Sequence, residues 1–248
     1  MNNPSKTRAA AEGGFAPAVF CDFDGTITEL DVTDQILAQL AHPSWRDIER
    51  EWALGMIGSR ECLERQIALV DAPLEEFHAV IDSIALDPHF GAFCRFARQH
   101  RMGLTVVSDG FDYVIRRLLK RAGLSGHFRS GSHLFASALR VEGRGLLPSF
   151  PHAAESCEHG CATCKAAIIS RLSAGRQPVV FVGDGMSDRF AVEVADVVFA
   201  KRQLLVHCRE NGIACHPFDT FQDVQTGIEK LLAPAPARRY RQPVPALS

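Results

Sequence analysis

No stretch of this 248-residue chain stays apolar for the ~18 residues that a membrane-spanning helix needs, so a spanning segment is not expected. Charge of one sign is also scarce. With 27 Lys and Arg against 29 Asp and Glu, the formal net charge is -2, which gives no reason to expect nucleic acid or an anionic membrane as partner. The first 17 residues lack the apolar centre of a secretory signal. Eight cysteines spread over a chain of this size do not make a disulfide scaffold. Cys21, Cys62, Cys94 and Cys208 lie in apolar stretches and read as small buried hydrophobes. A reducing, cytoplasmic location is the expectation.

What the chain does have is a repeated pattern. Ala18 to Cys21, Leu104 to Val107 and Val179 to Val182 are short apolar runs, each ending abruptly in Asp-, Ser- or Gly-containing residues. They are continuous rather than alternating, as strands buried on both faces of a parallel sheet must be. Between them lie helical patterns. Phe111, Val114, Ile115, Leu118 and Leu119 share a face, with Gly123 at the position of a C-terminal cap. Arg189 to Ala195 is expected to continue helically before a fourth run at Val197 to Phe199. A last helix should open near Asp219 and Thr220 and carry Phe221, Val224, Ile228 and Leu231 inward. This alternation predicts a doubly wound α/β sheet of Rossmann-like type.

Residues 31 to 87 break the alternation with four apolar patterns of helical period, and Trp45 and Trp52 are expected in their core. The expected organisation is therefore a core of 17–30 and 88–232, a helical cap of 31–87 inserted after the first strand, and disordered ends at 1–16 and 233–248. A β-hairpin is expected within Leu134 to Val141. The cap's hinges would be Leu30 to Thr33 and Asp87 to His89.

In an open α/β sheet, ligands bind at the carboxyl ends of the strands. Here those ends supply Asp22, Asp24, Ser108 and Asp184, with Asp188 a turn beyond. The four carboxylates repel one another unless a cation sits among them, so Asp22, Asp24, Asp184 and Asp188 are the expected metal ligands. Oxygen donors without histidine favour Mg2+ over Zn2+. Asp22 is placed to attack phosphorus and Asp24 to serve as acid and then base. Lys165, heading a helix from Ala166 to Leu172, could neutralise the charge that gathers on Asp22. With Ser108 these are the expected catalytic residues. Gly25, Thr26, Gly110 and Glu29 are the expected substrate contacts, with Asp31 beside Glu29 at the entry to the cap. Each short motif alone is an ordinary turn or a surface lysine. All of them in this order, each at a strand end or helix start, are hard to explain as turns.

These residues resemble the motifs of the haloacid dehalogenase superfamily: Asp22-Phe23-Asp24-Gly25-Thr26, then Ser108, then Lys165, then Gly183 to Asp188. The resemblance implies an aspartyl-phosphate mechanism with Mg2+, and the insert after the first motif is similar to the helical cap of the phosphoserine phosphatase-like branch. Phe150-Pro151-His152, Cys161 to Lys165 and Phe199 to Asn211 are further similar to the phosphatases of methionine salvage. That implies 2-hydroxy-3-keto-5-methylthiopentenyl-1-phosphate as the small phosphomonoester. Phosphoserine, and phosphoethanolamine or phosphocholine, stay open as alternatives, as does a non-catalytic member that binds a phosphorylated ligand or zinc. The oligomeric state is not legible.

Cys157-x3-Cys161-x2-Cys164, with His152 and His159 nearby, has a spacing that could hold a structural Zn2+. The other readings of this cluster are a metal-free loop with partly buried thiols, or a redox pair at Cys161 and Cys164.

Overall fold

The computed structural model describes residues 16–128, 133–173 and 178–233. The expected disordered ends, 1–16 and 233–248, lie outside the described residues apart from Ala16 and Ala233. In chain order the elements are β1 (Ala18–Cys21), α1 (Val32–Leu40), α2 (Trp45–Ala53), α3 (Ser59–Ile67), α4 (Leu74–Ser83), α5 (Phe90–Gln99), β2 (Gly103–Phe111), α6 (Asp112–Arg121), β3 (Leu134–Glu142), β4 (Gly145–Ser149), α7 (Lys165–Leu172), β5 (Val179–Gly183), β6 (Val197–Ala200), α8 (Arg202–Glu210), β7 (His216–Pro217) and α9 (Phe221–Leu232).

The strands form one seven-stranded sheet in the order β4-β3-β2-β1-β5-β6-β7, parallel throughout except for the β3–β4 pair. Strands β1 and β5 are buried along their whole length, which is why their sequences read as unbroken apolar runs. On one side of β1 the chain crosses to β2 and on the other to β5, so β1 borders the switch point and opens the cleft at its carboxyl end.

The helices follow their apolar spacing. Val114, Ile115, Leu118 and Leu119 of α6 are buried, and Gly123 adopts φ +71° just past its end. Helix α9 follows its N-cap Thr220, whose N–H donates to the Asp223 carboxylate at 3.0 Å, and it buries Phe221, Val224 and Ile228. Leu231, expected inward, lies in the last turn of α9 and is exposed.

Three further expectations change. The segment Arg189 to Ala195 holds one short 3-10 turn, Val192–Val194, instead of a continuous helix, and a second such turn, Met186–Asp188, stands just before it. The Asp188 carboxylate accepts the N–H groups of Asp184 (3.1 Å) and Gly185 (3.3 Å) and so draws this turn tight around itself. Leu134 to Val141 is a single sheet strand, with the turn to β4 delayed to Gly143 and Arg144. Trp45 is buried, but Trp52 is half-buried and lines the cleft. Helix α5, to which no element was assigned from the sequence, packs on α9 through Phe90 and Phe93, whose ring centres lie 4.8 and 5.1 Å from that of Phe221.

Helices α1 to α4 intervene between β1 and β2 and return to the core along a narrow neck. There Thr28 pairs with Leu86, and Asp87 N–H donates to the Ile27 carbonyl at 2.8 Å. No helix among the described residues is long and apolar enough to cross a membrane.

Candidate active site

A cleft of about 310 Å³ opens at the carboxyl ends of β1, β2 and β5, with α1, α2 and α3 forming its far wall. Asp22 leaves β1 at its floor and is buried. Lys165, the first residue of α7, donates from Nζ to Asp22 Oδ1 (2.8 Å), Asp188 Oδ1 (2.6 Å) and Ser187 Oγ (3.2 Å). The ammonium is itself 3% exposed, so it has no competing water shell and its charge acts on these two carboxylates. Burial alone would lower the Lys165 pKa, but Asp188, Asp22 and Asp109 outweigh it and hold the amine well above its usual range.

Asp22, Asp184 and Asp188 each present an oxygen within 4.8 Å of the others, all buried, and among the described residues they are the one such group able to hold a metal ion. Their donors are all hard oxygens, which suits Mg2+. Charge points the same way. Asp22, Asp24, Asp184 and Asp188 face two cations, Lys165 and Arg202, the latter 3.1 Å from Asp184 Oδ2. Desolvation first, and then Asp188, raises Asp22 well above its usual value and Asp184 in the same direction, as expected of acids gathered to surround a cation.

The Asp24 carboxylate lies outside that group. Ser108 Oγ donates to its Oδ2 at 3.1 Å, and Val32 N–H donates to its Oδ1 at 3.3 Å. Burial first and Asp31 next push Asp24 up to about 7, while the bonds from Ser108 and Val32 pull it back. Gly110 N–H donates to Ser108 Oγ at 2.9 Å and so orients the hydroxyl toward Asp24. A Cβ at Gly110 would run into Asp24 Oδ2, so only glycine fits there without shifting the acid. Gly25 turns with φ +70°, and a Cβ there would meet Asp184 and Arg202.

The structure brings Asp22, Asp24, Ser108, Gly110 and Asp184 into the lining of one cleft, with Asp31 at its mouth; Lys165 and Asp188 lie behind them. Gly25, Thr26 and Glu29 are not among the lining residues. Thr26 is fully buried and donates from Oγ1 to Asp184 Oδ1 at 2.9 Å, so it steadies a candidate metal ligand. Glu29 is exposed, and its carbonyl accepts from Arg202 at 2.6 Å.

The zinc expectation for Cys157, Cys161 and Cys164 is not supported. The three sulfurs do not lie within 4.8 Å of one another as the acid triad does, whereas ligands on a tetrahedral zinc sit about 2.3 Å from the ion and close together. His159 is committed elsewhere, stacked on Phe190 with ring centres 3.8 Å apart.

Sequence reasoning did not single out four contributors. Arg202 begins α8 with φ +49° and bonds the Gly25 carbonyl (3.1 Å), Asp184 and the Glu29 carbonyl. A non-glycine residue at positive φ marks strain held by its surroundings, but φ is not legible in a sequence. Asp34, Glu49 and Gln66 complete the far wall. They lie on separate helices, and no local spacing connects them.

Comparison with known proteins agrees with this geometry. A family model described as haloacid dehalogenase-like hydrolase matches residues 19–193. The chain is 29% identical over 217 residues to a Bacillus mycoides protein named 2-hydroxy-3-keto-5-methylthiopentenyl-1-phosphate phosphatase, covering 86% of this chain and 96% of that one. It is 28% identical over 218 residues to a Bacillus velezensis protein of the same name, covering 87% and 91%. Among solved structures, a phospho-aspartyl intermediate analogue of phosphoserine phosphatase superposes with a TM-score of 0.66 at 20% identity, covering 86% of this chain and 98% of that one. At that identity the likeness speaks for the fold. With a family match across most of the core and a site built of acids around one buried lysine, the chain belongs to the haloacid dehalogenase-like hydrolases and is a phosphatase.

Proposed function

We propose that this phosphatase uses Mg2+ and an aspartyl-phosphate on Asp22 to hydrolyse a small phosphomonoester with an uncharged tail, foremost 2-hydroxy-3-keto-5-methylthiopentenyl-1-phosphate. One observation carries the choice of substrate class. Among the described residues no uncommitted cation lines the cleft: Arg202, the one lysine or arginine they place in its lining, is bonded to Asp184 and to two carbonyls. A phosphoserine carboxylate would instead face Asp31, Asp34 and Glu49 and pay the cost of unpaired charge. A keto-enol tail ending in a methylthio group needs no cation, and Trp52, Cys62, Leu63 and Met186 offer it apolar and sulfur contacts. The names and coverage of the Bacillus relatives support the same substrate.

The chain's residues divide the work. Lys165 favours the ionised form of Asp22 against the burial that opposes it, and orients its free oxygen for in-line attack on phosphorus. Asp24, held near pKa 7, can protonate the leaving alkoxide and then accept a proton from the water that attacks the aspartyl-phosphate. Ser108 aims Asp24 and Gly110 aims Ser108. When bound among Asp22, Asp184 and Asp188, Mg2+ would supply charge neutralisation for the phosphoryl group. Residues 31–87 act in this reading as a cap over the core of 17–30 and 88–232, limiting water at the site.

The acidic wall favours a second reading, an aminoalkyl phosphate such as phosphoethanolamine or phosphocholine, whose cation would pair with Asp31, Asp34 and Glu49 against Trp52. Phosphate release with Mg2+ over a panel holding the salvage intermediate, phosphoserine and the phosphoamines separates these readings. Preference for the salvage intermediate, lost by roughly a thousand-fold or more in Asp22→Asn, is the expected result. Preference for a phosphoamine moves the substrate and keeps the mechanism. Binding without any Asp22-dependent turnover would instead support the non-catalytic alternative.

A further inference from the structure

Behind Lys165 lies a second pocket of about 290 Å³ that the phosphatase chemistry does not use. Cys157, Cys161 and Cys164 line it together with Thr163, Ser187 and Glu193. All three cysteines are free and half-buried, unlike Cys21, Cys62, Cys94 and Cys208, which are sealed in the core. The hydroxyl of Thr163 is buried without a hydrogen-bond partner. Cys157 is at the centre of the thiols, beside the backbone N–H groups of Cys161 and His159 and the sulfurs of both other cysteines. Such donors stabilise a thiolate. Although burial opposes it, they bring the Cys157 pKa below the usual thiol value, while burial and the bond to Cys157 hold Cys161 up to about 12. Three free, half-buried thiols thus meet in one pocket, the Cys157 pKa shifted down and those of Cys161 and Cys164 up.

The same loop is tied to the active site at several points. Gly160 accepts Arg60 N–H at 3.0 Å, with Gly58 packed so closely on it that a Cβ would overlap its carbonyl. Ala162 N–H donates to Ser59 Oγ at 3.0 Å, and Thr163 N–H donates to Asp109 Oδ1 at 3.0 Å. Cys164 is the residue before Lys165 and caps α7. A movement of the cysteines is therefore a movement of the catalytic lysine and of the start of α3.

We propose that Cys157 is a reversible oxidation site, at which a hydroperoxide and a second cysteine, Cys161 or Cys164, together produce a disulfide that slows the phosphatase. In the first step the Cys157 thiolate attacks the hydroperoxide. An S–O bond forms, the O–O bond breaks, sulfur gives up two electrons, and the departing alkoxide or hydroxide takes a proton. In the second step the other thiol attacks that sulfur, and the S–O bond breaks to release water, which carries away the thiol proton. A disulfide brings two sulfurs to about 2.05 Å, closer than any non-bonded contact, so the loop that leads into Lys165 must contract.

The test uses the full-length protein, purified under reduction and then treated with hydrogen peroxide, with p-nitrophenyl phosphate and Mg2+ as the activity probe. Expected are a loss of two titratable thiols and about 2 Da of mass, a peptide linked through Cys157, and turnover lowered about ten-fold or more, all reversed by dithiothreitol. Cys157→Ser should prevent each change, with Cys157→Ala as a second variant if the serine perturbs folding, whereas Cys215→Ser should leave them intact. A linked pair without Cys157, a disulfide without effect on turnover, or stoichiometric zinc on the three thiols as purified would each overturn the proposal. The activity arm rests on the phosphatase reading, but thiol count and mass do not. Absent turnover in the reduced protein would therefore strike the proposed function, while the mass result would still decide the disulfide.

Discussion

Replacing Gly110 by alanine would place a methyl group against Asp24 Oδ2 and beside Ser108 Oγ, a change of one carbon at the point where the acid is aimed. The fold should tolerate it, because Gly110 lies at the open end of β2 and the group it meets is a side chain. Catalysis should not, because the acid has to reach the leaving oxygen within hydrogen-bond distance. Gly110→Ala is expected to lower kcat by about ten-fold to a hundred-fold with a melting temperature close to that of the parent. Steady-state kinetics alongside thermal unfolding will check this, and an unchanged kcat would remove Gly110 and Ser108 from the aiming of Asp24.

At the scale of elements, two attachments of similar appearance should differ greatly in strength. The neck between α4 and α5 is pinned to α9: Asp87 accepts the N–H groups of His89 (2.8 Å) and Phe221 (3.1 Å), and Phe221 is fully buried among Phe90, Phe93 and Phe218. Phe221→Ala leaves a cavity in that cluster and should cost about 3–5 kcal/mol. Helix α4 is joined to α6 by the bidentate Arg117–Asp82 pair, at 2.7 and 2.6 Å. Both of those side chains are more than a third exposed, so solvent screens the pair and Arg117→Ala should cost at most about 1 kcal/mol. Denaturant unfolding of the two variants side by side tests the ranking. If Arg117→Ala proved the more damaging, α4 would owe its position to charge more than to its buried Phe77, Val80 and Ile81.

Over the whole molecule, the gathered acids make stability depend on pH and on the metal. Asp22, Asp24 and Asp184 all have folded-state pKa values above those of an unfolded chain, Asp24 at about 7. Between about pH 4, where unfolded aspartates titrate, and pH 7, the native state binds more protons than the unfolded state. Stability must therefore fall as pH rises through this window. In chelator the melting temperature should be higher at pH 5 than at pH 8. Mg2+ favours the ionised carboxylates and stabilises the state that binds it, so it should raise the pH 8 value most and flatten or reverse the trend. Thermal scans at the two pH values, with and without Mg2+, decide the matter. A metal-free protein that was more stable at pH 8 would mean that Lys165 and Arg202 already compensate the cluster.

The sequence by itself determined the class of fold and the order of the chemistry-bearing residues. A strand buried on both faces must be a short unbroken apolar run, and an abrupt Asp-x-Asp or Gly-Asp after such a run can only stand at the strand's end. Asp22 and Asp184 were legible for that reason, whereas β2 runs on past Ser108 to Phe111, and the apolar stripes of α6 and α9 followed from helical spacing. Only tertiary structure decided what depends on distance across the chain. The 3-10 turn at Met186–Asp188, just before the stretch whose pattern reads as helix, is drawn tight by Asp188, which accepts the N–H groups of Asp184 and Gly185. Asp24 faces Ser108 and lies outside the acid triad, Thr26 serves Asp184, and Arg202 reaches from α8 to the first loop at positive φ. That no described residue offers the cleft a free cation belongs to the same class, because it depends on which groups Arg202 bonds. Local spacing fixes periodicity and strand ends, whereas the partner of a buried charge is chosen by desolvation among groups that meet only once the chain has folded.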